Sequence, residues 1–121
     1  MRVDFDNNIP IYIQLVEKIK VNIISGQYFP GEKLSSVREL ALQTKVNPNT
    51  MQKALSELED LKLIYTESTN GKYVTKDEKL IEKYKKQYAK EISEKYFSNM
   101  KDIGFNKDET IKYIQELGGK K

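Results

Sequence analysis

Thirteen residues, Val46 to Leu58 (VNPNTMQKALSEL), constrain what this chain can fold into more than any other stretch. Asn47 suits an N-cap, and Pro48 suits the first helical position, where a missing N–H costs nothing. Met51, Ala54, Leu55 and Leu58 recur at steps of three and four, which predicts one apolar stripe on a helix. Asn49, Gln52, Lys53 and Ser56 fall on the opposite face. Amide and ammonium side chains can read base edges or hold phosphates. A polar outer face is also common to amphipathic surface helices that bind nothing, so the flanking sequence has to decide.

A capping-box pattern precedes this helix. Ser36 is followed three residues on by Glu39, which opens a short helix over about 36–43 with Val37, Leu40 and Ala41 on its apolar side. Residues 44–47 then make a tight connection. Two short helices so joined, the second polar on its outer face, match a helix-turn-helix. Upstream, residues 10–25 predict a helix with Tyr12, Leu15, Val16, Ile19 and Ile23 on one face, ended by Ser25 and Gly26. Pro30-Gly31 marks a turn, with Tyr28 and Phe29 expected to pack beneath it. Downstream, residues 63–66 and 72–75 are β-rich and flank a linker carrying Asn70-Gly71, which predicts a β-hairpin. Such a hairpin is a wing, or simply closes a small domain.

From Asp77 the period turns helical. Ile81, Tyr84, Tyr88, Ile92 and Tyr96 form a long stripe to about Phe97, and a gap is expected over 99–104. Asn106 and Glu109 make a second capping box, opening a helix with Ile111, Ile114 and Leu117, stopped by Gly118-Gly119 ahead of Lys120 and Lys121. Two helices with one narrow seam each must pack on something. Self-association into a twofold dimer is the simplest expectation; folding back on residues 1–75 is the other. A Tyr-rich stripe lining a small-molecule pocket is a third and weaker alternative. The expected organisation is a winged helix-turn-helix domain over 1–75 and a helical dimerisation tail over 76–121.

Composition excludes more than it selects. The 121 residues suffice for one ordinary domain and an appendage. Residues 1–75 carry nine Lys/Arg and nine Asp/Glu, so the net +3 lies wholly in the tail. Binding to DNA must therefore rest on where particular basic residues sit rather than on bulk charge. With no Cys and no His, disulfides, thiolate metal sites and the commonest general base are excluded, and no metal or cofactor is expected. No stretch approaches the roughly 18 apolar residues of a membrane span. The start resembles no signal peptide, so no membrane association and a cytoplasmic location are expected. An enzyme is not expected either, because no paired-carboxylate or Gly-rich phosphate motif stands out.

Taken in order, Pro10 to Leu15, Gly26 with Pro30-Gly31, Leu34-x-Ser36-x-Arg38-x-Leu40-Ala41, Val46-Asn47 with Thr50, and Gly71-x-Tyr73-Val74 resemble the N-terminal domain of GntR-type transcriptional regulators. The resemblance covers about residues 9–75. The short two-helix tail resembles the YtrA-like branch, which has no large effector-binding domain. The chain departs from the family at Ser35, where Pro is usual, and at Lys62, where Gly is usual. It departs also at Ser68 and Thr69, where the wing usually has a basic residue and a glycine. Pro48 and Gln52 stand where relatives carry arginine.

The resemblance implies a homodimer bound to a palindromic double-stranded operator, acting as a repressor. It leaves open whether a small-molecule effector exists. Expected DNA contacts are Arg38 at a phosphate or a groove edge, the Ser36-capped helix start at a phosphate, and Asn49 and Gln52 at bases. Thr50 is expected at a phosphate or a thymine methyl, and Asn47 as a cap first and a contact second. Lys53 and Lys72 are expected at phosphates, and Asn70 at the backbone or minor groove. The alternative is a winged helix whose polar face over 49–56 docks a protein.

Overall fold

The computed structural model describes residues 1–119; Lys120 and Lys121, expected to trail the last helix, lie outside the described residues. Five helices and one two-stranded antiparallel sheet follow the order α1 (Ile11–Ile24), α2 (Val37–Thr44), α3 (Pro48–Asp60), β1 (Ile64–Thr66), β2 (Lys72–Val74), α4 (Glu78–Asp102) and α5 (Lys107–Gly119). The chain packs as two units, one from Met1 to Tyr84 and one from Lys85 onward. Among the described residues no helix is long and apolar enough to cross a membrane.

The first unit is a three-helix core closed by a hairpin. Leu15, Ile19 and Ile23 of α1, Leu40 and Ala41 of α2, and Met51, Ala54, Leu55 and Leu58 of α3 form one buried cluster with Leu34, Leu63, Ile64 and Val74. The helix signals read from sequence are present as geometry. Ser36 Oγ accepts from the Glu39 amide at 3.1 Å, while Glu39 Oε1 accepts from the Ser36 amide at 3.2 Å. The Ser36 amide first, and the Ser36 hydroxyl second, hydrogen-bond the Glu39 carboxyl and hold it below the usual carboxylate range. Asn47 Oδ1 accepts from the Asn49 amide at 2.7 Å, and Pro48 follows as the first helical residue. Lys45 closes α2 in the left-handed region, φ 57°.

The hairpin pairs Ile64 with Val74, Tyr65 with Tyr73 and Thr66 with Lys72. A short bridge from Lys33 to Tyr73 extends it, with the Leu34 amide donating to Lys72 O at 2.9 Å. A 3-10 turn, Ser68–Asn70, forms the tip. Tyr28 is half-buried against the core, and that burial pushes its phenol up. Phe29, expected beside it under the turn, is instead 62% exposed. The Glu32 carboxylate takes up its amide at 3.0 Å, and the ring has no place in a core already filled by Tyr28 and the helices.

Two further expectations change beyond Thr75. Ile81 and Tyr84, assigned to the dimer stripe, pack on the core of their own unit, so that unit extends past the boundary expected after Thr75. The Tyr84 hydroxyl donates to Leu61 O at 3.1 Å, and the Lys20 ammonium lies 5.1 Å from its ring centroid. The helix expected to end near Phe97 runs on to Asp102, because burial of Met100 outweighs the weak helix propensity of Ser98 and Asn99. Gly104, φ 99°, then turns the chain into α5, where Asn106 and Glu109 exchange their capping-box bonds at 2.8 and 3.0 Å.

Lys62 occupies the left-handed region, φ 65°, at the turn from α3 into the hairpin. A Cβ is strained there. Lys62→Gly should therefore stabilise the fold by about 1 kcal/mol, read as a higher urea midpoint at unchanged slope. A lower midpoint would contradict this account of the turn.

Candidate nucleic-acid interface

The caps and the buried stripe fix the rotation of α3, and that rotation decides which side chains face water. Met51, Ala54, Leu55 and Leu58 are fully buried, so Asn49, Gln52 and Ser56 project outward. Gln52 Nε2 lies 3.4 Å from Ser56 Oγ, a long contact that leaves the amide available to a better partner. Thr50 is half-buried near the helix start. Asn47 is exposed, but its carbonyl oxygen is used by the cap. Arg38 is exposed in the first turn of α2 and has no ion-pair partner among the described residues.

Two of the expected cations are not simply open. Lys53 is exposed, yet its ammonium lies 3.9 Å from the Tyr12 ring centroid, over the face of an aromatic on α1. That attraction is worth about 0.5–1 kcal/mol at an exposed site, less than a good phosphate contact offers, so it parks the charge without locking it. Lys72 is committed more firmly. Its ammonium pairs with Glu59 Oε1 and donates to Thr66 Oγ1 at 2.9 Å. Thr66 Oγ1 also donates to Glu59 Oε1 at 2.8 Å. The Lys72 bond and, less strongly, the Thr66 bond hold the Glu59 carboxyl below the usual carboxylate range despite partial desolvation.

A groove of about 420 Å³ runs between the start of α2 and the hairpin tip. Ser36, Asn70 and Lys72 line it, together with Lys33, Ser35 and Thr69. Lys33 and Ser35 were missed because they lie in a segment that reads only as a turn. The long-range bridge from Lys33 to Tyr73, with the backbone bonds on either side of it, places that segment beside the hairpin. Ser35 offers a hydroxyl to the groove it lines.

The remaining residues assigned to the dimer seam lie in the second unit. Ile92, Ile111, Ile114 and Leu117 are exposed, as are Ile103 and Tyr113, which the stripe analysis did not include. Tyr88 and Tyr96 are half-buried.

Because the Glu59 carboxyl is held low in the folded state, its contribution is complete above the ordinary carboxylate value and is lost as pH falls through the lowered one. Glu59→Gln should be less stable than the parent near neutral pH, and the gap should close in acid. Urea midpoints across that range measure it; a gap independent of pH would contradict the assignment.

Comparison with known proteins agrees with this architecture. The family described as "Bacterial regulatory proteins, gntR family" matches over residues 11–74. The transcriptional regulator YhcF of Bacillus subtilis is 35% identical over 111 residues, 92% of each chain. The transcriptional repressor YtrA of the same organism is 39% identical over 79 residues, 65% of this chain and 61% of its own. Among solved structures, a GntR family transcriptional regulator from Listeria monocytogenes superposes with a TM-score of 0.86 at 43% identity, covering 93% of this chain and 98% of that one. The DNA-binding domain of AraR in complex with operator ORX1 superposes with a TM-score of 0.57 at 26% identity, covering 62% of this chain and 95% of that one. The match spans all three core helices and the wing, and its relatives are transcriptional regulators rather than enzymes. The chain belongs to the GntR family of bacterial regulators, in its YtrA-like branch, and its first unit is the winged-helix DNA-binding domain of that family.

Proposed function

We propose that this chain is a homodimeric transcriptional repressor that reads a palindromic operator with α3. The observation that carries the proposal is the outward face of that helix. Asn49, Gln52 and Ser56 are exposed on a helix whose opposite side is wholly buried, so the face is rigidly presented. Asn and Gln side chains make bidentate bonds to adenine in the major groove. Arg38, Ser35, Ser36 and the α2 start supply backbone contacts, with Asn70 opposite them on the wing. AraR bound to operator and YtrA named as a repressor support the assignment by similarity.

Two constraints support the dimeric reading. Residues 1–75 have no net charge, so one copy has little electrostatic hold on a duplex. Ile92, Ile103, Ile111, Ile114 and Leu117 are exposed on the second unit, an apolar surface that a second copy would cover. Two linked copies gain affinity through effective concentration and place two α3 helices in successive major grooves, about one helical turn apart.

Fluorescence anisotropy against a library of operator variants tests the residue roles. Arg38→Ala should weaken binding to every sequence and reduce the salt slope by about 0.9. Gln52→Ala should relax choice at one base pair by about 1–3 kcal/mol. Equal losses on all sequences for both variants would reject the base-reading role. Binding by the parent that does not depend on salt would reject the DNA interface and leave a protein partner for the same face. Ile114→Asp together with Leu117→Asp should sediment as a monomer and lose about a hundredfold in operator affinity. A parent chain that sediments as a monomer would reject the dimer.

A further inference from the structure

Gln52, Ser56 and Glu59 step by four and three along α3, so one side of the helix carries the reading amide at one end and a carboxylate at the other. A carboxylate on that side is out of place beside a duplex unless something neutralises it. Lys72 does so from β2, across the hairpin from Thr66. The hydrogen bonds close a triangle: the Thr66 hydroxyl gives its one proton to Glu59 and accepts one from Lys72, which gives a second to Glu59. The Lys72 and Glu59 side chains are 17% and 32% exposed, so the pair is sheltered as well as closed.

The triangle joins three elements. Glu59 is in the last turn of α3, Thr66 ends β1, and Lys72 begins β2. The strands have three residues each, and a two-stranded hairpin of that size has little stability of its own. Ile64 and Val74 anchor its base in the core, while the triangle sits at the other end of both strands, next to the tip that carries Asn70. The tip itself has no apolar anchor, since residues 66–70 are all exposed.

We infer that Glu59, Thr66 and Lys72 form a strut that sets the position of the wing against the recognition helix. Lys72 is thus a positioning residue, acting on operator binding through the wing rather than by contacting a phosphate. This rests on the operator-binding proposal above for its effect on DNA, but not for the strut itself.

Two measurements on the full chain separate the alternatives. Without DNA, amide hydrogen exchange over residues 64–74 should accelerate about tenfold in Glu59→Gln and in Lys72→Met, with the α1 and α3 core unchanged. Exchange that stays at the parent rate in both variants would overturn the strut. With operator, both variants should bind about fivefold more weakly at an unchanged salt slope. The reversed pair, Glu59→Lys with Lys72→Glu, should recover to within about twofold, because it restores the ion pair with the charges exchanged.

A phosphate contact gives the opposite pattern. Glu59→Gln would then free the ammonium and tighten binding, Lys72→Met would lower the salt slope by about 0.9, and the reversed pair would bind worst of all. That pattern overturns the positioning role. A parent chain with no salt-dependent DNA binding overturns the effect on operator, while hydrogen exchange still decides whether the strut exists.

Discussion

Met51, Ala54, Leu55 and Leu58 are fully buried, and their packing against α1 and α2 holds α3 in one rotation about its own axis. A helix turns about 100° per residue, so each buried side chain also fixes the direction of its exposed neighbours. The outward pointing of Asn49 and Gln52 is thus a by-product of core packing. It does not depend on contacts the two amides make themselves, since neither is held by a strong bond. A loosened core would blur the reading face before it unfolded the domain, because close-packed interiors transmit small displacements.

The parts of this arrangement legible in the sequence are the local ones. Caps work over three residues and stripes over two turns, so Ser36, Glu39, Asn47, Pro48 and the α3 stripe could be read directly. So could the hairpin, whose register is set by Ile64 and Val74 entering the core. The parts that were not legible depend on partners distant along the chain. Lys72 reads by residue type as an open cation, and only the fold brings Glu59 to it. Lys53 likewise meets Tyr12 across the α1 and α3 pairing. The apolar stripe of α4 is a true periodicity, but a stripe does not name what covers it. Ile81 and Tyr84 turned out to be covered by their own unit.

The neutral first unit adds a constraint of a different kind. With twelve charges of each sign, its cations compete for internal acids and rings before any ligand arrives. Arg38 is without an ion-pair partner among the described residues, whereas Lys53 and Lys72 are engaged. Affinity for an anionic duplex is thus concentrated in few groups and backbone amides, which makes sequence choice a larger share of the total than in a strongly basic domain.

The triangle of Glu59, Thr66 and Lys72 also bears on how such a chain drifts over generations. Removing one member of a sheltered ion pair leaves the other uncompensated, which costs more than exchanging both together. Positions 59 and 72 are therefore coupled physically: a lone change at either leaves a sheltered charge without its partner, so the two are exchanged without loss only together.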